Sequence, residues 1–457
     1  MTNKEITVQL ADFIETTQIS GIPDSVVQSA KPLIIDFLGV TTAGSVEEPS
    51  RIIQDFVREQ GGRGDSTLIG TPIQAHAAWT SLANGIAGHA LDFDDVSLPM
   101  YGHPTTAVLP ACLAVGESLN VSGMALLEAY IIGLEVAVKL GYGMNPGHYK
   151  HGWHATCTLG SMGSAASAAK LLGLKGKTLR NALAVAASQA GGLQQNFGTM
   201  TKPFHAGRAA ENGVLAALLA QKGWTGDQNI LESPLGFFNV FCGPGLYDGE
   251  KTVNSLGRPF DIQKPGIILK KFPSCAFSHP VIDAALIVCQ DPAYDSHKVE
   301  EVEGEIGPLA NRILIHRRPE TGLEAKFSME ACAAMALLDG NVNSRSFTDE
   351  KVGSNDMKEM MGRIKRTVRP DDPEGSQDFG PATVKVRLKG GKILEAQVQK
   401  AKGNPDNPMS PEEIRQKYVD CCSGLLPEAS IKKSLSLLED LDGVKELRVL
   451  MGLFRVA

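Results

Sequence analysis

Residues 88–110 read GHALDFDDVSLPMYGHPTTAVLP, and they set three aspartates together with histidine into an otherwise weakly polar stretch. Asp92, Asp94 and Asp95 fall within four positions, and after a loop-like LPMYG comes His103, followed by Pro104. Carboxylates are mostly exposed in folded proteins, yet these interrupt a weakly polar, alanine- and glycine-rich stretch. Three chemistries suit such a set. Asp92 and His103 could be a proton-transfer pair. The same groups could ligate a metal. More plainly, Asp94 or Asp95 could cap a helix end beside an ordinary His-Pro turn. The stretch alone leaves all three open.

Three further clusters qualify. GHYKHGWHATCTLG (147–160) carries His148, His151 and His154. An H-x-x-H-x-x-H run suggests zinc, but positions i, i+3 and i+6 spread around a helix, and Gly147 and Gly152 argue for a loop. No metal is therefore expected, and His154, beside Trp153, is as readily structural as functional. NFGTMTKPFHAGRAAENG (196–213) offers Thr201 as an N-cap, with Pro203 in the first helical turn. Lys202, His205 and Arg208 then lie three apart, roughly along one face near a helix start, which makes a candidate carboxylate or phosphate site. A solvated basic face is the alternative, against which Gly198 and Gly207 stand, since they let backbone come close. In KKFPSCAFSHP (270–280), Lys271, Cys275 and His279 are spaced by four, but Pro273 breaks that helix.

The bulk numbers narrow the partners. Forty-four basic against fifty-one acidic side chains give a net charge of −7, which excludes a global electrostatic grip on nucleic acid. An anionic substrate must be held by a local cation cluster. The N-terminal MTNKEITVQLADF has neither a basic nor an apolar signal region, and no apolar run reaches membrane-spanning length. The eight cysteines are scattered without a C-x-x-C pair, as expected of reduced thiols in a cytoplasmic protein. G-x-G-x-x-G and P-loop patterns are missing, and so is a cysteine trio for an iron–sulfur cluster. The expected chemistry is side-chain acid–base work without cofactor or metal.

These clusters need positioning elements. Up to about residue 225 the apolar period is helical. SGMALLEAYIIGLEVAVKLG (122–141) predicts a helix capped by Ser122, with a Glu135–Lys139 pair and a stop at Gly141. Glycines and alanines inside several helices predict backbones packed close together. From residue 265 strands enter: VEEVEGEIG, and ATVKVRLKGGKILEAQV (382–398), whose alternation and Gly390-Gly391 predict a hairpin with a two-residue turn. A helix is predicted over 323–340. AKGNPDNPMSPEE is a linker in which Ser410 and Glu413 are spaced as a capping box, and two helical stretches follow. The expectation is a mainly α protein: an all-helical domain from 1–264 together with 405–457, and an inserted α+β lid domain over 265–404.

Taken together, HALDFDD…GHP, GWH, GTMTKPFHAGRAAENG, KKFPSCAFSHP, EAKFSMEA and KGNPDNPMSPEE run in order over essentially the whole chain. In this the sequence resembles the MmgE/PrpD family, which includes 2-methylcitrate dehydratase, cis-aconitate decarboxylase and iminodisuccinate epimerase. The resemblance implies a helical domain built from both chain ends with an α+β lid, a homodimer, and an active site between the domains without metal or organic cofactor. It carries function to Asp92, His103, His154 and Lys202, with Lys271 and His279 from the lid. His205 and Arg208 join Lys202 as substrate-binding candidates. In the decarboxylase a threonine of the site follows DFDD; here Val96 stands there, and the loop to His103 is one residue longer. Both features tell against decarboxylation, and the loop looks more like that of the epimerase.

The family's reactions share a carbanion or enolate beside a carboxylate. Such chemistry needs a base tuned toward neutrality and cations to hold the developing charge. The leading expectation is a hydro-lyase of the 2-methylcitrate dehydratase type acting on a small polycarboxylate. An epimerase of an iminodisuccinate-like dicarboxylate comes second, and a carboxylate-binding protein without turnover comes third.

Overall fold

The computed structural model describes residues 5–62, 64–370 and 379–456. It divides into two compact units, Met1–Ile267 with Ser410–Ala457, and Ile268–Met409. The fold class is mainly α.

The first unit is built on helices α1 (Asp24–Gly44), α2 (Ala77–Ala90), α3 (Pro104–Leu119), α4 (Gly123–Met144), α5 (Ala155–Leu171), α6 (Gly176–Gln189) and α7 (Thr201–Gln221). Helices α3, α4 and α5 are buried along nearly their whole length, as their apolar, small-residue sequences require of central helices. Helix α7 packs against α2 and α5. Its contact with α2 is backbone to backbone: a Cβ on Gly85 would lie 2.6 Å from Gly207 Cα, and one on Gly207 would lie 2.2 Å from Leu82 O. Any side chain at either glycine would force the two helices apart, and these helices position the site described below.

Ser122 caps α4, accepting the Ala125 N–H at 3.3 Å, but the helix runs past Gly141 to Met144. Gly141 is there for clearance rather than as a stop, since a Cβ would meet Pro99 O at 2.5 Å. Past the second unit, the helix Pro411–Cys422 opens with the Ser410–Glu413 capping box. From it Lys417 reaches Asp36 of α1 at 2.7 Å and lies 3.7 Å over the Phe93 ring.

The second unit holds a four-stranded sheet of β1 (Val299–Ile306), β2 (Ile364–Val368), β3 (Ala382–Leu388) and β4 (Ile393–Val398). The spatial order is β2-β1-β3-β4, with β1 and β2 parallel and the other pairs antiparallel. Val302 pairs Val386, which pairs Leu394, and all three are buried. Leu388 donates its N–H to Lys392 O at 2.8 Å, so the hairpin loop is the three residues 389–391 rather than two. Both glycines sit at positive φ, 94° and 87°. The expected helix over 323–340 is two pieces, Gly322–Ala325 and Met329–Asp339, because Ser328 starts a new helix by accepting the Ala331 N–H. Among the described residues no helix is long and apolar enough to cross a membrane.

Candidate active site

Helix α2 ends at Ala90, and the chain then turns through Asp92, whose φ is +52°. A left-handed residue just past a helix end is usually Gly or Asn. An aspartate there costs on the order of 1 kcal/mol in backbone strain, so this turn presents a carboxylate where glycine would be easier. The next carboxylates face different ways. Asp95 accepts the Thr105 N–H at 3.2 Å and also bonds the Thr105 hydroxyl, holding the first turn of α3. Asp94 is no cap. It turns inward to two histidines.

His103 and His154 are the residues immediately before α3 and α5, and Lys202 lies in the first turn of α7. The starts of three helices are thus brought to one place, with the end of α2 beside them. Lys202 Nζ lies 2.9 Å from Asp92 Oδ1 and 2.7 Å from His89 Nε2. His89 Nδ1 lies 2.8 Å from Asp94 Oδ1, and His103 Nδ1 lies 3.1 Å from Asp94 Oδ2. His103 Nε2 is 3.9 Å from Asp92 Oδ1, closing a ring of five groups. His154 adjoins it: its Nδ1 is 3.0 Å from His205 Nδ1, and its ring is 4.9 Å from Phe197, over which Lys202 also sits.

Burial sets the charges. It pushes His89 down to about 3 and outweighs the pull of Asp94, while Lys202 and His103 lower it further. Burial also holds His154 well below the usual histidine range, with Lys202 and His205 adding to the effect, and takes His205 down to about 4. These three are therefore neutral near pH 7. Burial by itself would raise Asp94, but His89 and His103 donating to it hold this carboxyl well below its ordinary value. Asp95 is pushed up to about 8 by burial, with Asp94 and Asp36 adding to it, against which its bonds to Thr105 pull only partly.

Ligand atoms of His89, Asp92, Asp94 and His103 lie within 4.8 Å of one another, compact enough for a metal ion. The Lys202 ammonium, however, touches two of the four and supplies the positive charge such an ion would bring. The residues therefore suit an ammonium-centred site better than a metal centre.

Of the remaining candidates, Arg208 does not join the cluster. It pairs with Glu211 at 2.7 Å and is partly exposed, because six residues along a helix rotate it about 120° from Lys202. Thr201 is not the N-cap but the first helical residue; Met200 holds the cap position, and Thr199 Oγ1 accepts the Thr201 N–H at 3.2 Å. The histidine trio disperses: His148 is buried against Thr158, 2.8 Å away, and His151 is exposed on Gly147 O. Lys271 and His279 belong to the second unit. Lys271 is exposed, with Nζ 5.7 Å over Phe272, and His279 is buried, with Nε2 3.3 Å from Ser274 O. His89 and Asp94 are the cluster members that spacing alone did not single out, although both lie inside the GHALDFDD run.

Chemically, the ammonium and three helix starts suit an anion, and neutral imidazoles beside them suit proton transfer. Comparison with known proteins points the same way. Family models described as the MmgE/PrpD N-terminal and C-terminal domains match residues 8–249 and 272–442. Cis-aconitate decarboxylase of Mus musculus is 28% identical over 99% of this chain and 94% of its own length. The Homo sapiens enzyme of that name is also 28% identical, over 99% and 95%. That of Aspergillus terreus is 23% identical, over 98% and 95%.

Proposed function

The chain belongs to the MmgE/PrpD family and is an enzyme of lyase type, and from that premise we propose that it acts without a cofactor on a small di- or tricarboxylate through a carbanion beside a carboxylate. The observation that carries this reading is the Lys202 ammonium fixed between Asp92 and a neutral His89, with His103 next to it.

A C–H next to a carboxylate is a weak acid, and its removal places a second negative charge on the carboxylate oxygens. Lys202 and the starts of α3, α5 and α7 stabilise that charge in a site with little competing water. His103 takes the proton: Asp95 O, 2.8 Å from Nδ1, can only accept, so Nδ1 carries the hydrogen and Nε2 the lone pair. In a dehydration the C–H pair becomes the new C=C bond and the C–O bond at the next carbon breaks. The proton on His103 leaves with the hydroxyl as water, and the ring returns to its starting charge. Asp92, 3.9 Å from His103 Nε2, stabilises the imidazolium in between.

We favour dehydration, of the 2-methylcitrate dehydratase kind, because buried Val96 offers no hydrogen bond where the decarboxylase carries threonine. Decarboxylation of cis-aconitate is the second reading, supported by the activity named for the relatives. Incubating the enzyme with citrate, 2-methylcitrate, cis-aconitate, malate and iminodisuccinate, followed by proton NMR in D₂O, separates the outcomes. Gain or loss of water across a C=C bond is expected. Loss of CO₂ from cis-aconitate would replace dehydration with the second reading, and α-proton exchange without elimination would overturn lyase action in favour of epimerisation.

A further inference from the structure

Asp94 is buried in the first unit, and both its oxygens are committed. Oδ1 and Oδ2 lie 2.8 and 2.9 Å from His89 Nδ1, and Oδ2 lies 3.1 Å from His103 Nδ1. An ionised carboxylate only accepts, so both nitrogens must bring a proton. Two further contacts agree. His89 Nε2 faces Lys202 Nζ, which only donates, and His103 Nδ1 faces Asp95 O, which only accepts. The contacts within 3.1 Å thus all call for Nδ1–H in both rings, against which Asp92, 3.9 Å from His103 Nε2, is beyond hydrogen-bond reach, and the Asp94 carboxylate is common to both.

We infer that Asp94 is a positioning residue that locks His89 and His103 together as Nδ1–H tautomers, turning one Nε2 lone pair to Lys202 and the other toward Asp92. This rests on the carbanion reading for its consequence, not for its geometry. With His89 so fixed, Lys202 is held by an acceptor that cannot repel it. With His103 so fixed, the base presents a lone pair instead of a hydrogen.

The isosteric change Asp94→Asn weakens the lock in either orientation. With the amide oxygen at the Oδ1 position, the NH₂ opposes the His103 Nδ1–H. With the oxygen at the Oδ2 position it can accept from both rings, but the NH₂ then sits 2.8 Å from His89 Nδ1 and opposes its hydrogen. In hydrolases an Asp-to-Asn change behind a histidine costs about 10⁴-fold through the wrong tautomer. Here Asp95 O still holds His103, so a fall in kcat of about 10²- to 10³-fold is expected, with KM changed less than about threefold.

A neutron crystal structure of the wild-type enzyme exchanged into D₂O tests the lock without any variant and without turnover. Deuterons are expected on Nδ1 of both His89 and His103 and on neither Nε2. A deuteron on His89 Nε2, or on both nitrogens of either ring at pH 7, would overturn the inference. So would an Asp94→Asn enzyme that keeps wild-type kcat. If no polycarboxylate reacts but the deuterons lie on Nδ1, the lyase reading fails and the tautomer lock stands.

Discussion

Two of the buried clusters in the first unit that pair carboxylates with a lysine have opposite uses. In one, Glu135 accepts the N–H groups of Gly257 and Asp261, both at 2.8 Å, while Lys139 bridges Glu135 at 3.5 Å, Asp261 at 2.9 Å and Ser255 at 3.0 Å. Its oxygens are spent on backbone, so it staples residues 255–261 to α4. In the other, Lys202 faces Asp92 and His89, the remaining contacts are histidine nitrogens, and three helices begin there. Burying charge is common to both. What distinguishes the second is that its partners are groups able to gain and lose protons, set at helix starts where an anion is stabilised.

The largest difference should come from removing each lysine. Lys202→Met leaves Asp92 without its cation, and kcat/KM on the acid that is turned over should fall by about 10³-fold or more. A fall below tenfold would break the distinction. Lys139→Met should act on stability instead. Stripping one partner from a buried pair costs about 3–5 kcal/mol, read as a lower melting temperature, while kcat of the folded enzyme stays within about twofold. The loss should be greater at pH 8 than at pH 5, because Glu135, pushed up to about 7 by burial and by Asp261, escapes at low pH by keeping its proton.

The smallest effect concerns Asp95, which borders the active cluster but serves α3. Its folded value, about 8, lies above the ordinary 3.8, so between those values the folded chain binds more protons than the unfolded one. Stability from this group is complete below about pH 4 and is lost as pH rises through about 8, at a rate of up to about 1.4 kcal/mol per pH unit. Asp95→Asn mimics the protonated acid and removes this slope. The wild type should therefore lose melting temperature relative to the variant between pH 6 and pH 9, and parallel curves would contradict the assignment.

Much of the fold was legible from the chain, since apolar period, the Ser410–Glu413 box and the β3–β4 alternation are local signals that packing reinforces. Gly141 and the 323–340 helix went astray because glycine clearance and a serine restart depend on neighbours distant in sequence. For the site, Lys202, His205, Asp92, His103 and His154 could be named, but Arg208 could not be excluded, because spacing by three does not hold one face beyond a turn. His89 reads as one more residue of a buried helix and Asp94 as a cap. Only the left-handed turn at Asp92 swings Asp94 back to meet His89, and that is set by tertiary packing.

The most direct test is proton NMR in D₂O of wild-type and His103→Gln enzymes on the acid that the wild type converts. Wild-type turnover should be accompanied by exchange or transfer of one proton at the carbon beside a carboxylate, and His103→Gln should lower both that exchange and net conversion by about 10³-fold. A His103→Gln enzyme that is folded and still removes that proton at the wild-type rate would contradict a carbanion chemistry based on this cluster.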